Sequence, residues 1–160
     1  MDKKFCAIIS LVVGIVVAAV LSIAPGLYAG TEVCDVIKME NKAYAKHKKG
    51  IIEFTHKKHG DDYKIGCGEC HHDENGKPLE NLQAGDDVRT CIECHKTAGY
   101  IKGKAAKGLS KEKQREYHAN ALHDNCKACH KKFNKKKGLK SKDKGAAPTT
   151  CKACHPKTKK

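Results

Sequence analysis

The spacing Cys-x-x-Cys-His occurs four times in this chain, as Cys67-Gly-Glu-Cys70-His71, Cys91-Ile-Glu-Cys94-His95, Cys126-Lys-Ala-Cys129-His130 and Cys151-Lys-Ala-Cys154-His155. In that spacing two thiols become thioether links to a haem and the following histidine binds its iron. Zinc is the competing chemistry, because the interval between the pairs Cys67/Cys70 and Cys91/Cys94 also fits the spacing of a four-cysteine zinc site. Structural zinc has no use for the fifth position. With ten histidines in 160 residues, a chance histidine after all four cysteine pairs is on the order of one in 10⁵, so haem attachment is the reading. The expected cofactor is four covalently bound haem c groups with their iron.

Composition makes that cofactor a structural requirement. Lys3 and Lys4 precede an uncharged run from Phe5 to Thr31, and Leu27-Tyr28-Ala29 before Gly30 suits signal peptidase. Residues 1–29 therefore read as a secretory signal, and the alternative is a retained membrane anchor over residues 5–29, since the run is long enough to span a bilayer. From Gly30 onward Leu, Ile, Val and Phe together make up only about an eighth of the chain. The formal charge of +14 includes Asp2, Lys3 and Lys4, which leaves +13 on the mature chain. Such a composition alone reads as disordered. Four porphyrins reverse this by supplying the apolar surface that the side chains lack, so the chain without haem should not fold.

Eight propionates and four ferric centres with neutral histidine ligands would lower the net charge only to about +9, which favours acidic partners or an anionic surface. Export, and the lack of any motif for it, argue against nucleic acid. Three segments follow: the signal at 1–29, a polar N-terminal segment at 30–49 with Cys34 and His47, and the haem-bearing domain at 50–160. Cys34 is left over once the motif cysteines are assigned, and either pairs between chains or is an idle thiol.

Within the domain, Gly50–Phe54 (GIIEF) suits a short strand, and residues 73–90 read as a loop with turns at Asn75-Gly76 and Ala84-Gly85. Gly99–Gly108 reads as an exposed loop. Ser110 starts a helix running to about Asp124, and the lysine-dense stretch Lys131–Lys144 reads as a solvated loop.

Histidine counting gives the chemistry its direction. Removing His71, His95, His130 and His155 leaves His47, His56, His59, His72, His118 and His123 for four distal positions. Met39 is the one methionine beyond the signal, so bis-histidine ligation at all four irons is the economical reading. Irons saturated in this way have low potentials and no open position for a small-molecule substrate; they relay electrons. His71 and His72 are adjacent and cannot lie on opposite faces of one porphyrin, so His72 is free to reach a second haem. His56 and His59 are likewise too close to serve one iron. On a helix His118 and His123 point roughly 140° apart, and only one of them need be a ligand.

His56-x-x-His59, then Cys67-Gly-Glu-Cys70-His71-His72, three further motifs and a late helical histidine together resemble the tetrahaem cytochromes c3, the class III cytochromes c, over most of residues 50–155. The resemblance implies that His56 is paired with His71 on the first haem, His72 with His95 on the second, His59 with His130 on the third, and His123 with His155 on the fourth. It implies low-potential electron carriage in a periplasm, with hydrogenase, formate dehydrogenase or membrane redox complexes as partners. All four motifs here are short, whereas many cytochromes c3 use Cys-x4-Cys-His twice. Ala121-Leu-His-Asp-Asn-Cys126 and Ala147-Pro-Thr-Thr-Cys151 look more like the trihaem cytochromes c7.

The expected fold is mostly α with little regular structure: a compact cytochrome c3-like domain with a haem core and at most a small N-terminal β-hairpin. The expected function is electron transfer rather than catalysis, with Lys131–Lys137 and the Lys152–Lys160 tail either guiding acidic partners or keeping the chain soluble. Other readings are a terminal reductase of metals or sulfur compounds, and a membrane-anchored or filament-forming conductor.

Overall fold

The computed structural model describes residues 33–157. The signal or anchor expected over residues 1–29 lies outside the described residues, as does the end of the lysine tail. Among the described residues no helix is long and apolar enough to cross a membrane.

Regular structure is sparse. Strand β1 (Ile37–Lys38) pairs antiparallel with β2 (Glu53–Phe54), Ile37 opposite Phe54. This is the small hairpin expected near the N-terminus, and it ties residues 33–49 to the motif-bearing part. Helix α1 (His56–Asp61) follows at once, then a 3-10 turn at Cys67–Glu69, α2 (Cys91–Cys94), a 3-10 turn at Gly103–Ala106, α3 (Lys111–Arg115), α4 (His118–Lys136) and α5 (Cys151–Cys154). Residues 73–90 form the expected loop, entered through a tight reversal. There Asp73 accepts at its side chain from the backbone of Asn75 and Lys77, and Gly76 turns with φ 79°.

The helix expected from Ser110 to Asp124 is two helices. Ser110 does cap α3, its hydroxyl accepting from Lys113 N at 3.3 Å. The chain then turns extended at Tyr117 (ψ 118°), because the amides of His118 and Ala119 donate to the carbonyls of Thr97 and Gly99. With those donors satisfied from outside, α4 starts afresh and continues through Cys126–His130. It includes half of the lysine-dense stretch expected to be a loop, whose charged heads lie along its solvated side. Gly138 ends it: at φ 66° it lets its own amide reach Lys135 O (3.1 Å) and that of Leu139 reach Asn134 O (2.8 Å), a paired closure that a side chain at φ > 0 would strain.

No apolar side chain is buried among the described residues; the buried side chains are His118, Asn120 and Asn134. Tyr63, Tyr100 and Phe133 are 56%, 51% and 43% exposed. The polypeptide thus builds a shell without an oily interior of its own, and its apolar surface is available to something else.

Burial holds the His118 imidazole below its ordinary value of 6.5, with nearby His95 adding to the effect. The unfolded chain takes up a proton that the folded chain resists, so stability present above about pH 6.5 should be lost as pH falls below it. His118→Phe should flatten that slope, at the cost of the His118 bond to Tyr44, when urea midpoints are compared between about pH 8 and pH 5.

Candidate functional site

Each motif forms a single helical turn. His71 N donates to Cys67 O (2.9 Å), His95 N to Cys91 O (2.9 Å) and His155 N to Cys151 O (2.8 Å), while Cys126–His130 lies inside α4. Residues three and four apart share a helix face, so both sulfurs and the imidazole of a motif can address one porphyrin. Local chemistry starts two of these turns. Glu93 accepts from the backbone amide and hydroxyl of Thr90 ahead of Cys91, both at 2.8 Å, and the Thr150 hydroxyl accepts from Ala153 N ahead of α5.

The motifs also converge. Desolvation by the chain packed around it pushes the Cys126 thiol up to about 11, although the residue keeps an exposed surface, and Cys70, Cys154 and Cys91 lie near enough to raise it further. The thiols of Cys70, Cys91 and Cys154 are raised as well, each chiefly by partial desolvation. Asn125 Nδ2 donates to Cys70 O at 3.3 Å, fixing the first motif to α4.

Opposite every motif histidine stands a histidine from elsewhere. Ring centroids are 6.2 Å apart for His56 and His71, 6.0 Å for His72 and His95, 6.3 Å for His59 and His130, and 6.2 Å for His123 and His155. An imidazole nitrogen sits roughly 2.0–2.1 Å from a first-row metal ion. Adding about 1.1 Å from nitrogen to ring centre on each side, two imidazoles across one ion need about 6.3 Å. All four gaps fit an iron between two rings, and the paired thiols beside each gap fit the porphyrin's attachment.

The outer ring nitrogens agree with that chemistry. Nδ1 of His59 donates to Thr55 O (2.8 Å), His72 to Asp73 O (2.7 Å), His123 to Ala119 O (2.6 Å), His130 to Pro148 O (2.7 Å) and His155 to Gly50 O (2.8 Å). A carbonyl only accepts, so Nδ1 carries the hydrogen and Nε2 keeps its lone pair for a metal. His56 differs, with a buried Nδ1 that has no partner; its ring is flanked by Phe54 and His71.

His47 and His118 form a cluster of their own. Tyr44 stacks on His47 (5.1 Å, 22°), and its hydroxyl meets His118 Nδ1 at 3.0 Å. Of the two helical histidines left open by spacing, His123 faces a motif histidine and His118 faces a tyrosine. Sequence reasoning missed Tyr44, Tyr100, which lies 4.8 Å from His123, and the five carbonyl acceptors. An acceptor carbonyl leaves no trace in the sequence, because every residue has one.

The family model for the class III cytochrome c family matches residues 33–157, the whole of the described chain. The chain belongs to the class III cytochrome c family. No curated protein and no solved structure is a significant match for it. Membership makes this class III cytochrome a multihaem electron-transfer protein with covalently held c-type haem and its iron. Once the motif sulfurs are thioethers they have no proton to lose, and the raised thiol values cease to apply.

Gly50 illustrates how closely the site is built. Its carbonyl holds His155, and a Cβ at this position would run into the carbonyl oxygen and ring of Pro156. Gly50→Ala should therefore cost about 1–3 kcal/mol through overpacking, read as a lowered denaturation midpoint, and should disturb the His155 ring, which its carbonyl holds, before the other motif histidines.

Proposed function

We propose that this class III cytochrome is an exported, low-potential electron carrier holding four bis-histidine haems. They are attached at Cys67/Cys70, Cys91/Cys94, Cys126/Cys129 and Cys151/Cys154. The imidazoles that would hold the irons are His71 with His56, His95 with His72, His130 with His59, and His155 with His123. The single observation behind this reading is that four imidazole pairs, each joining a motif histidine to one from another part of the chain, stand at 6.0–6.3 Å.

Bound haem supplies a one-electron ferric/ferrous couple. The chain's residues decide what that couple can do. Two histidines holding each iron would leave no position for oxygen or a small substrate, which favours relay over catalysis. The carbonyls that take the Nδ1 hydrogens make the imidazoles stronger donors, which favours the ferric state and a low potential. His56, His59, His71 and His72 come from one short stretch of chain running from α1 to the first motif. They would bind three haems to that stretch, holding them as a cluster.

Beyond His130, α4 exposes Lys131, Lys132, Lys135 and Lys136. These charges suit an acidic redox partner, such as a periplasmic hydrogenase, a formate dehydrogenase or a membrane redox complex, through steering that weakens with salt.

The intact mass of the exported protein should exceed that of the chain by four haems, and the reduced protein should not bind carbon monoxide rapidly. His123→Ala should convert one of the four low-spin haems to high spin, whereas His118→Ala should retain all four. Four low-spin haems in the His123 variant would overturn the assignment of the fourth.

A further inference from the structure

Asn120 and Asn134 are 8% and 6% exposed, and share the interior of the described chain only with His118. Both use the same contact. Asn134 Nδ2 donates to Ala147 O (2.9 Å) while Ala147 N donates to Asn134 Oδ1 (2.8 Å); Asn120 grips Ile101 likewise, at 3.0 and 2.9 Å. The residue after Ala147 is Pro148, whose carbonyl accepts the Nδ1 hydrogen of His130. His130 and Asn134 are four apart on α4, one turn above the other on a single face. The helix thus holds two successive residues of the returning loop, one by an amide and one by an imidazole.

We propose that Asn134 is a positioning residue for His130. By clamping Ala147 it holds the Pro148 carbonyl where it takes the Nδ1 hydrogen, and so fixes both the tautomer and the donor strength of the imidazole. The inference rests on the proposed ligation of the third haem by His130.

Asparagine is a poor choice for the middle of a helix, since its side chain competes for backbone partners. Here that tendency is directed outward, onto a loop whose amide and carbonyl at half-buried Ala147 would otherwise lack these partners. The proline sharpens the effect, because its ring fixes φ and limits how far its carbonyl can swing once the preceding residue is held. A carbonyl held in place is a constant acceptor. A constant acceptor sets the basicity of the imidazole, and through it the potential of the metal beyond.

The test uses the four-haem holoprotein, with haem-resolved NMR redox titration and the solvent-exchange rate of the His130 Nδ1 hydrogen. Asn134→Leu keeps the branched shape and removes both clamp bonds; Asn134→Asp keeps the acceptor for Ala147 N and loses the donor to Ala147 O. In Asn134→Leu the His130 Nδ1 hydrogen should exchange roughly tenfold faster, about the factor one lost hydrogen bond represents. The potential of the haem at Cys126/Cys129 should rise while the other three stay, and Asn134→Asp should fall between. Asn120→Leu removes the sister clamp and should leave the third haem unchanged. Lower stability with wild-type exchange and potential, or an equal shift at all four haems, would overturn the proposal. If neither Asn134 variant yields folded holoprotein, the wild type decides: a His130 Nδ1 hydrogen exchanging as fast as a solvent-exposed imidazole overturns it. Failure of the underlying ligation would look different, since the wild-type His130 ring would then lack the hyperfine shifts of an iron ligand.

Discussion

Four gaps of about 6 Å between paired imidazoles organise this molecule. Each gap joins residues far apart or differently oriented in the chain: His59 with His130, or His123 with His155. The remaining architecture serves to hold those rings. The hairpin delivers α1 with its two histidines, the motif turns aim sulfurs and imidazole to one side, and α4 carries one of the paired histidines, His123, before its motif and another, His130, within it. An ordinary domain of this size would be held by buried aliphatic side chains, and none is found among the described residues. In a chain so basic and so poor in apolar residues, the cofactor accounts for the collapse that side chains cannot drive.

The polar interior follows from the same scarcity. Among the described residues the buried side chains are an imidazole and two amides, each hydrogen-bonded. Such contacts contribute little net stability but are costly to break, so they specify geometry more than they strengthen the fold. This suits a protein whose working parts are rings that must be held at a set spacing and rotation. Backbone carbonyls at Thr55, Asp73, Ala119, Pro148 and Gly50 orient five of the eight paired rings, and local chain path thereby becomes ligand geometry.

What can be read in the sequence divides along physical lines. The cysteine motifs are legible because their chemistry is local: a single turn of helix contains it. So is the rule that neighbouring histidines cannot share an iron, which follows from covalent geometry alone. Pairing across the fold is not legible from spacing, and the choice between His118 and His123 depends on family resemblance. The long helix is misleading at both ends. Its interruption at Tyr117 depends on carbonyls at Thr97 and Gly99, well upstream in the chain, and its extension to Lys136 is hidden by lysine density, which fits a solvated helix face as well as a loop. Asn120 and Asn134 do leave a usable signal, as two poor helix formers inside a continuous helix.

His123 and His130 are seven positions apart on α4, nearly two full turns, so they project from one face of a continuous rod. Their backbone separation is then about 10.5 Å, set by helical rise. In the proposed assignment these two residues serve different haems, the fourth and the third. Electron tunnelling falls off steeply with distance, and loops that breathe would make its rate fluctuate. A helix spanning both ligands works as a ruler. It would keep the rate between those two centres steady while the loops around them move to admit and release a partner.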